Sequence, residues 1–319
     1  MKICVSNDSF FNFGDLTWDA LKPYGEVRVY HDHLTELTAL AERVHDADIL
    51  ITDLPDLPKG LIARCPALKY ITLTSTGYDG VELELARERG ILVSNVPSYG
   101  TSSVAQYAVA LLLEVCSHAA YYSQRVRDGH WHDCGAETVG EHRLIELAGK
   151  TIGIIGFGRI GRTVGAVAKA MGMNVIAYNR SRCAEGEAIG EYVSLDELYA
   201  RADVISLHCP ATEATRGMIN ADSIAGMKDG VIIVNNARGA LINSVDLASA
   251  LKSGKVWAAG LDVVDNEPIL PDNPLLTAPR CVITPHISWL PKESRQRIID
   301  CTIDNVRAYL NNTPQNVVN

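Results

Sequence analysis

Short apolar runs alternate with longer amphipathic segments through the first hundred residues. The apolar runs are rich in β-branched residues and are typical of buried strands, whereas the segments between them have helical spacing. This pattern predicts strands at 2–6, 26–30, 48–52, 70–74 and 91–94. It predicts helices at 15–21, 34–44 and 58–64. Strands that alternate with helices indicate a parallel sheet with crossover helices.

The second half of the chain repeats this alternation. It predicts strands at 152–155, 175–178, 204–207, 231–235, 258–263 and 281–283. Local text is repeated as well, with VRVYHDH resembling VIAYNRS and DADILIT resembling RADVISL. We therefore predict an α/β protein with two doubly wound parallel-sheet domains. One long helix is expected over 101–122 and another over 292–310, and the polar region 126–147 is expected to be an arm or loop.

A glycine-rich stretch, TIGIIGFGRIG at 151–161, ends the first predicted strand of the second half. Gly156, Gly158 and Gly161 form G-x-G-x-x-G between a strand and a helix, which is the context that makes the motif informative. The first glycine permits the tight turn, the second lets the backbone approach a pyrophosphate, and the third lets helix and strand pack closely. Because free N–H groups at the helix N-terminus attract phosphates, we predict a dinucleotide site.

Charged side chains follow later strands of the second half, at the strand ends where ligands bind in open α/β folds. Arg238 comes directly after an apolar strand, and its guanidinium suits bidentate binding of a carboxylate. Asp262 and Glu267 follow the next strand, and His286 follows the last. Histidine gives and takes protons near neutral pH, and a carboxylate such as Glu267 on the other ring nitrogen would fix the tautomer. Each residue alone also fits a structural role, but together with the glycine motif they indicate a site.

Composition narrows the class of partner. A net charge of -9 argues against nucleic acid or an anionic membrane surface as partner. The first ten residues contain no apolar run of the kind a signal peptide needs, and the eight cysteines are scattered, so we expect a cytoplasmic protein with reduced thiols. The one metal-like cluster is His130, His132, Cys134 and His142. Its spacing matches no standard zinc pattern, so a polar surface loop is preferred and no metal is expected.

A set of short motifs occurs in order along nearly the whole chain. They are STGYD (75–79), NVP (95–97), SVAQ (103–106), GFGRIG (156–161), HCPATEATRGMIN (208–220), NNARG (235–239), GLDV (260–263), NEP (266–268) and TPHIS (284–288). In this set the chain resembles the D-isomer-specific 2-hydroxyacid dehydrogenases. The text HISW, ending in Trp289, is most similar to the glycerate dehydrogenase and hydroxypyruvate reductase branch of that family.

The resemblance implies a Rossmann cofactor domain inserted into a flavodoxin-like substrate domain. On this basis the substrate domain comprises 1–98 and 288–319, and the dinucleotide-binding domain comprises 99–287. The resemblance also implies a homodimer formed through the cofactor domain, with the region 118–147 in the contact. Trp131 would correspond to a tryptophan that approaches the active site of the partner subunit in hydroxypyruvate reductases.

The resemblance assigns roles to individual residues. Arg238 would bind the substrate carboxylate and carbonyl oxygen, and His286 would protonate that oxygen with Glu267 as its orienting partner. Backbone N–H groups of Thr76 and Gly77 would bind the substrate carboxylate. The implied cofactor contacts are Arg159 and Ile160 at the pyrophosphate, Cys209, Pro210, Thr215 and Ala237 along the cofactor cleft, and Asp262 at the nicotinamide carboxamide.

Two positions depart from the family pattern. Gln106 replaces a glutamate that is common in the family, with an effect that we leave open. At the end of the second strand, 18 residues beyond Gly161, Asn179 replaces the aspartate that binds the ribose hydroxyls in NAD enzymes, and Arg180 and Arg182 follow. Loss of the carboxylate removes repulsion of a 2′-phosphate, and two guanidiniums can bind it. NADP(H) is therefore favoured, and NAD(H) with solvated arginines is the alternative.

The expected activity is NAD(P)H-dependent reduction of a small 2-keto acid, hydroxypyruvate or glyoxylate, to D-glycerate or glycolate. A D-lactate-type dehydrogenase is an alternative on the same residues. A formate or phosphite dehydrogenase fits less well, because the formate enzymes pair the histidine with glutamine rather than with glutamate. A dinucleotide-sensing binding protein, similar to the corepressors that share this fold, is the alternative from another class.

Overall fold

The structure is a computed structural model that describes residues 1–34, 36–52, 57–78, 80–134 and 140–319. It divides into two compact units. The first comprises Met1–Gly100 and Leu290–Asn319, and the second comprises Thr101–Trp289. Each unit contains one parallel sheet flanked by helices, and this confirms the predicted α/β class with two parallel-sheet domains.

The strands of the described residues are numbered along the chain. They are β1 Lys2–Val5, β2 Glu26–Val29, β3 Ile49–Thr52, β4 Tyr70–Leu73, β5 Leu92–Ser94, β6 Thr151–Ile155, β7 Asn174–Tyr178, β8 Glu191–Tyr192, β9 Val204–Leu207, β10 Val231–Asn235, β11 Val256–Leu261 and β12 Cys281–Ile283.

The α-helices of the same residues are α1 Leu37–Val44, α2 Leu61–Arg64, α3 Leu83–Glu88, α4 Thr101–Ser117, α5 Ala119–Arg127, α6 His130–Cys134, α7 Arg159–Ala170, α8 Ala184–Glu187, α9 Leu195–Arg201, α10 Ala221–Ala225, α11 Ser244–Ser253 and α12 Lys292–Leu310. Short 3₁₀ helices span Asp19–Tyr24, Gly239–Leu241 and Pro274–Thr277.

The sheet of the first unit has the order β2-β1-β3-β4-β5 with every pair parallel. Helix α12 lies against this sheet. At the contact, the buried Asn305 amide donates to Thr72 Oγ1 at 3.3 Å and to the Asn95 carbonyl at 3.0 Å. The C-terminal segment then runs along β5, where Val318 N–H donates to the Val93 carbonyl. Residues Leu290–Asn319 therefore pack with Met1–Gly100 in the first unit.

The loop that follows β1 is held by a buried carboxylate. Asp8 is fully buried, and its carboxylate accepts hydrogen bonds from Asn12 Nδ2 at 2.7 Å, Trp18 Nε1 at 3.0 Å and His31 Nδ1 at 2.6 Å. Further along the loop, Asp15 pairs with both terminal nitrogens of Arg295 at 2.7 and 2.9 Å. These bonds join the loop to the end of β2 and to the start of α12.

The sheet of the second unit has the order β12-β11-β10-β9-β6-β7-β8, again all parallel. The chain builds outward in one direction from β6 through β7 to β8, and in the other from β9 to β12. This reversal between β6 and β9 creates the crevice at the carboxyl ends of the strands where doubly wound sheets bind ligands.

Several predicted helices differ from the structure. The helix predicted over 101–122 is two helices, α4 and α5, because His118 adopts a left-handed conformation (φ 50°) that cannot continue an α-helix. The helix predicted at 15–21 is wrong, since Asp15 lies in a loop and a 3₁₀ helix starts only at Asp19. The predicted arm at 126–147 contains the end of α5 and all of α6, and its residues 135–139 lie outside the described residues.

Within the described ranges, no single helix is both long and apolar enough to cross a membrane. The pair α4 and α5, bent by 57°, meets the length and composition requirement only when the two are taken together.

Candidate active site

The glycine turn joins β6 to α7 beside the end of β9. Gly156 has φ 94°, and a Cβ there would lie 2.5 Å from the backbone of His208 and Cys209. A Cβ on Gly161 would lie 2.3 Å from the Gly156 carbonyl oxygen. By contrast, a Cβ on Gly158, the residue before α7, would meet nothing within 4 Å. Glycine at 156 and 161 is thus required by the fold itself, whereas at 158 it leaves open space in front of a helix N-terminus, which fits a pyrophosphate.

The two other residues predicted at the pyrophosphate begin helix α7. Arg159 is its first residue and is exposed, and Ile160 is half-buried against the core beneath the turn. Both therefore lie in the first turn of α7, at the helix end whose dipole favours negative charge.

The loop after β7 contains the residues predicted to determine the preference between NADP(H) and NAD(H). Asn179 Nδ2 donates to the Ser181 carbonyl at 2.8 Å, so its amide closes the loop on itself. Arg180 and Arg182 are exposed, and the Arg182 guanidinium lies 5.7 Å from the Tyr192 ring centroid. Arg162, from the first turns of α7, donates to Cys183 Sγ at 3.3 Å. Three guanidiniums therefore belong to this loop or to the helix beside it.

The segment after β9 carries three more predicted cofactor residues. Thr215 Oγ1 donates to the Pro210 carbonyl at 2.7 Å and accepts from Thr212 N–H at 2.8 Å, so this hydroxyl closes the segment. Cys209 Sγ lies 3.9 Å from Met218 Sδ, and burial raises the pKa of its thiol. Cys209 is thus a neutral, apolar surface beside the glycine turn.

The turn after β10 presents Arg238. Asn235 shapes this turn, since its Oδ1 accepts from Ala237 N–H at 3.0 Å and its Nδ2 donates to the Arg238 carbonyl at 2.9 Å. Arg238 is exposed, and its Nη1 donates to the Ala237 carbonyl at 2.8 Å. A Cβ on Gly239 would lie 1.9 Å from the backbone of Val264, so only glycine lets this turn approach the loop that carries Glu267.

Glu267 and His286 form a hydrogen-bonded pair. The Nδ1 atom of His286 lies 2.7 Å from Glu267 Oε2, and Glu267 Oε1 accepts from Val264 N–H at 3.2 Å. Burial raises the pKa of Glu267. The hydrogen bond and charge of His286, together with the charge of Arg238, lower this pKa by a larger amount, so the net shift is downward. An ionised carboxylate only accepts hydrogen bonds, so Nδ1 carries a proton, and Nε2 has no hydrogen-bond partner among the described residues.

The carboxylate of Asp262 is buried and holds the segment that contains His286. It accepts from Thr284 Oγ1 at 2.6 Å, from Ile287 N–H at 2.9 Å and from Ser288 N–H at 2.8 Å. Asp262 is fully buried, and its backbone carbonyl accepts from His286 N–H at 2.8 Å. The predicted contact of Asp262 with a nicotinamide carboxamide stays a prediction, because this carboxylate already has three protein donors.

In the first unit, Thr76 and Gly77 follow β4. Thr76 Oγ1 donates to the Val96 carbonyl at 2.8 Å, and Ser75 Oγ donates to the Gly77 carbonyl at 2.8 Å. The described residues provide no acceptor for the backbone N–H groups of Thr76 and Gly77. These two groups are therefore suited to bind an anion.

The structure brings Arg238, Glu267 and His286 to the carboxyl ends of neighbouring strands, and the charge of Arg238 acts on Glu267. Sequence reasoning did not assign the role of Asn235 in shaping the arginine turn or that of Asp262 in holding the histidine segment. The repeated Asn in NNARG is the one sequence signal for the former, since asparagine side chains bond to nearby backbone in turns.

The metal-like cluster carries no site in the described residues. The side chain of Cys134 lies outside them, and among the rest no group of three or more His, Cys, Asp or Glu side chains is arranged to hold a metal ion.

Comparisons with known proteins relate the chain to one family. Residues 109–288 match the NAD binding domain of the D-isomer specific 2-hydroxyacid dehydrogenases. A hydroxypyruvate reductase of Blautia hydrogenotrophica is 48% identical over all of both chains.

Two solved structures share the fold with bound cofactor. An acyclic imino acid reductase in complex with NADPH and D-Arg is 30% identical over all of both chains, with a TM-score of 0.86. The D-lactate dehydrogenase of Aquifex aeolicus, complexed with NAD and lactic acid, is 29% identical over 98% of this chain and 96% of that one, with a TM-score of 0.82. The cofactor is therefore a nicotinamide dinucleotide, and the chain belongs to the family of D-isomer specific 2-hydroxyacid dehydrogenases.

Proposed function

We propose that the chain reduces small 2-keto acids, hydroxypyruvate and glyoxylate first, to D-glycerate and glycolate with a reduced nicotinamide dinucleotide. The observation that carries the proposal is the 2.7 Å contact between His286 Nδ1 and Glu267 Oε2, because it leaves Nε2 to serve a carbonyl oxygen. The identity of 48% to a hydroxypyruvate reductase supports the choice of substrate.

Reduction of a ketone adds a hydride at carbon and a proton at oxygen. A bound reduced nicotinamide supplies the hydride. His286 Nε2 donates the proton to the carbonyl oxygen and accepts it back in the reverse direction. Glu267 accepts the hydrogen bond from Nδ1 and thereby fixes the orientation and the tautomer of the ring.

Arg238 binds the substrate carboxylate in this proposal. Only Nη1 of its guanidinium has an acceptor in the described part of the chain, so the remaining N–H groups can bind a carboxylate in bidentate fashion. The pairing fixes the keto acid by its charged end and so decides which carbon stands beside the imidazole.

Turnover assays test this function. The purified protein is mixed with NADH or NADPH and with hydroxypyruvate, glyoxylate, pyruvate or a bulkier 2-keto acid, and loss of reduced-cofactor absorbance is followed. We expect the highest kcat/KM with hydroxypyruvate or glyoxylate. Pyruvate as the best substrate would favour the D-lactate dehydrogenase alternative, which the Aquifex aeolicus structure supports. Negligible turnover on every keto acid would contradict the proposal and favour a dinucleotide-sensing binding protein.

NADPH is the proposed cofactor. Asn179 presents an amide where a carboxylate would repel a 2′-phosphate, and Arg180 is exposed with no intramolecular partner in the described ranges. Arg182 and Arg162 add positive charge from the same loop and from α7. This concentration of guanidiniums supports binding of a phosphate group.

The substitution Asn179→Asp tests this preference. Restoring a carboxylate should lower the ratio of kcat/KM with NADPH to kcat/KM with NADH by about tenfold or more, because like charges then meet at the ribose. Asn174→Asp, at the opposite end of the same strand β7, is the matched control and should leave the ratio unchanged. A wild-type protein that prefers NADH would establish the NAD(H) alternative instead.

We further propose that the first unit is the substrate domain and that the second unit is the cofactor domain. The backbone N–H groups of Thr76 and Gly77, which have no acceptor among the described residues, support the first assignment. Addition of glycolate should shift the amide resonances of these two residues, and unchanged resonances would contradict the assignment.

A homodimer formed through the second unit is also proposed. Large apolar side chains stand exposed on the segment predicted for this contact, namely Tyr121, Val126, Trp131 and Leu144, with exposed fractions of 38 to 65%. Light scattering should give twice the chain mass, and a monomer would contradict this. We also propose a cytoplasmic protein with reduced thiols, as expected from its eight scattered cysteines. Its net charge of -9 argues against nucleic acid or an anionic membrane surface as partner.

A further inference from the structure

His286 holds an uncommon backbone conformation. Its φ is 55°, in the left-handed region that non-glycine residues seldom occupy. Such a conformation costs free energy and persists only where surrounding contacts enforce it. The residue that is proposed to transfer the proton therefore depends on groups that fix its backbone.

Both backbone groups of His286 are hydrogen-bonded. Its N–H donates to the Asp262 carbonyl at 2.8 Å and to the Thr284 carbonyl at 3.0 Å. Its carbonyl oxygen accepts from the indole Nε1 of Trp289 at 2.8 Å. The N–H group is thus held by carbonyls that follow β11 and β12, and the carbonyl group is held by a side chain three residues later.

We propose that Trp289 is a positioning residue, whose indole N–H holds the His286 carbonyl and thereby keeps the imidazole aligned with the substrate. This inference rests on the proposed function, since it gives His286 the proton transfer. Turning the backbone of His286 out of the left-handed region would move its carbonyl away from the indole and its ring away from Glu267. The hydrogen bond from Trp289 thus opposes the same movement that would break the 2.7 Å contact of the imidazole.

The contact with Trp289 complements the bonds made by Asp262. The carboxylate of Asp262 receives the N–H groups of Ile287 and Ser288 and thus fixes the chain after the histidine. It makes no contact with the His286 carbonyl, for which Trp289 Nε1 is the side-chain donor. Removing the indole N–H should therefore loosen His286 while the rest of the segment stays bound.

The substitution Trp289→Phe removes the N–H and keeps an aromatic ring. We expect kcat to fall by about 3- to 10-fold with KM within about twofold, the effect of one hydrogen bond that positions a reacting group. The primary isotope effect with cofactor deuterated at C4 should rise, because the chemical step becomes slower relative to product release.

Trp257→Phe is the matched control. Trp257 lies in β11 of the same unit, its Nε1 has no partner among the described residues, and its ring packs on the Arg280 guanidinium at 4.6 Å. This variant should leave kcat and the isotope effect unchanged. Equal kcat values for Trp289→Phe and Trp257→Phe would overturn the proposal, as would a fall in kcat matched by an equal fall in KM.

Hydrogen–deuterium exchange gives a readout that needs no substrate. The amide of His286 should exchange about 3- to 10-fold faster in Trp289→Phe than in Trp257→Phe, whereas the amides of Ile287 and Ser288, which stay bound to Asp262, should exchange at the same rate in both variants. Unchanged exchange would overturn the positioning role even if the reaction is confirmed, whereas faster exchange in an enzyme inactive on all keto acids would fault only the proposed reaction. Should Trp289→Phe fail to fold, 3-benzothienylalanine at position 289 replaces the N–H by sulfur at nearly constant shape, and the same results are expected.

Discussion

Among the described residues, each unit contains a carboxylate that lies within hydrogen-bond distance of an imidazole Nδ1. In the first unit Asp8 Oδ1 lies 2.6 Å from His31, and in the second Glu267 Oε2 lies 2.7 Å from His286. Both pairs follow strand ends of a parallel sheet, and in both the ring is left with Nε2 for other partners. By the contact alone, the two pairs cannot be told apart.

Their surroundings differ. The Asp8 side chain is fully buried and the His31 side chain is 70% exposed, whereas Glu267 and His286 are exposed to nearly the same extent, 38 and 40%. Asp8 also binds Asn12 and Trp18, which belong to its own loop.

The second pair has a charged neighbour and a constrained backbone. The charge of Arg238 lowers the pKa of Glu267, and the backbone of His286 is held in the left-handed region. The neighbouring charge of Arg238 and the constrained backbone of His286, rather than the pair itself, are the features that favour catalysis in the second unit. We infer that Asp8–His31 stabilises a loop and that Glu267–His286 transfers protons.

Replacing each histidine tests this difference most strongly. His286→Ala should lower kcat by about 10²- to 10⁴-fold, the range for loss of a general acid. His31→Ala should change kcat by less than about twofold, since it removes an exposed ring to which no role in the proposed reaction is assigned. Steady-state kinetics on both variants decide the matter, and comparable losses would remove the distinction between the pairs.

Replacing the carboxylate of the proposed catalytic pair should have a smaller effect. Glu267→Gln keeps the shape but removes the charge, and we expect kcat/KM for reduction to fall by about 10- to 100-fold, as for other residues that orient a reacting histidine. Because an amide can turn its NH2 group toward Nδ1, the ring would no longer be held in one tautomer. Steady-state kinetics on the variant measure this loss, and an unchanged kcat/KM would show that Glu267 does not orient the imidazole.

The corresponding change in the first unit should affect stability rather than rate. Asp8→Asn leaves at least one buried donor without an acceptor, so the free energy of unfolding of the first unit should fall by about 1 to 3 kcal/mol. Urea unfolding, with hydrogen exchange of residues 6–18 to identify the unit that opens, measures this. A slower enzyme of normal stability would instead place Asp8 in the reaction.

The smallest expected effect is a change in thermal stability that depends on pH. The hydrogen bond from Arg295 lowers the pKa of Asp15, on the same loop as Asp8, to about 2. A carboxyl with a depressed pKa stabilises the fold above its ordinary range near 3.8, and this contribution is lost as the pH falls toward 2. Asp15→Asn should therefore lower Tm at neutral pH, and the difference from wild type should vanish as the pH falls from about 4 to about 2. A constant difference across this range would exclude the ion pair as its cause.

Most strands could be predicted from the sequence because a buried strand needs only a short apolar run. β9, β10 and β12 have the predicted bounds, and the other predicted strands begin and end within about two residues of those in the structure. The helix that was wrong at 15–21 failed for a nonlocal reason. Asp15 pairs with Arg295, far along the chain, and no local pattern contains that information.

The functional residues divide in the same way. The glycine turn could be predicted because steric exclusion of a Cβ, at Gly156 and Gly161, leaves a mark in the local sequence. The individual roles of Arg238, Glu267 and His286 stay predictions until they are tested. The contacts that hold His286, from Asp262 and Trp289, could not be predicted, since they depend on a left-handed residue that has no sequence signal when it is not glycine.

The sequence by itself determined the α/β class with two parallel sheets, the glycine turn and the family, because periodicity and steric exclusion act over a few residues. Tertiary structure decided which of two similar carboxylate–imidazole pairs has a charged neighbour and a constrained ring. It also decided that the indole of Trp289 binds the His286 carbonyl. Hydrogen-bond partners are chosen by proximity in space, and the strand order that sets this proximity is a property of the whole folded chain.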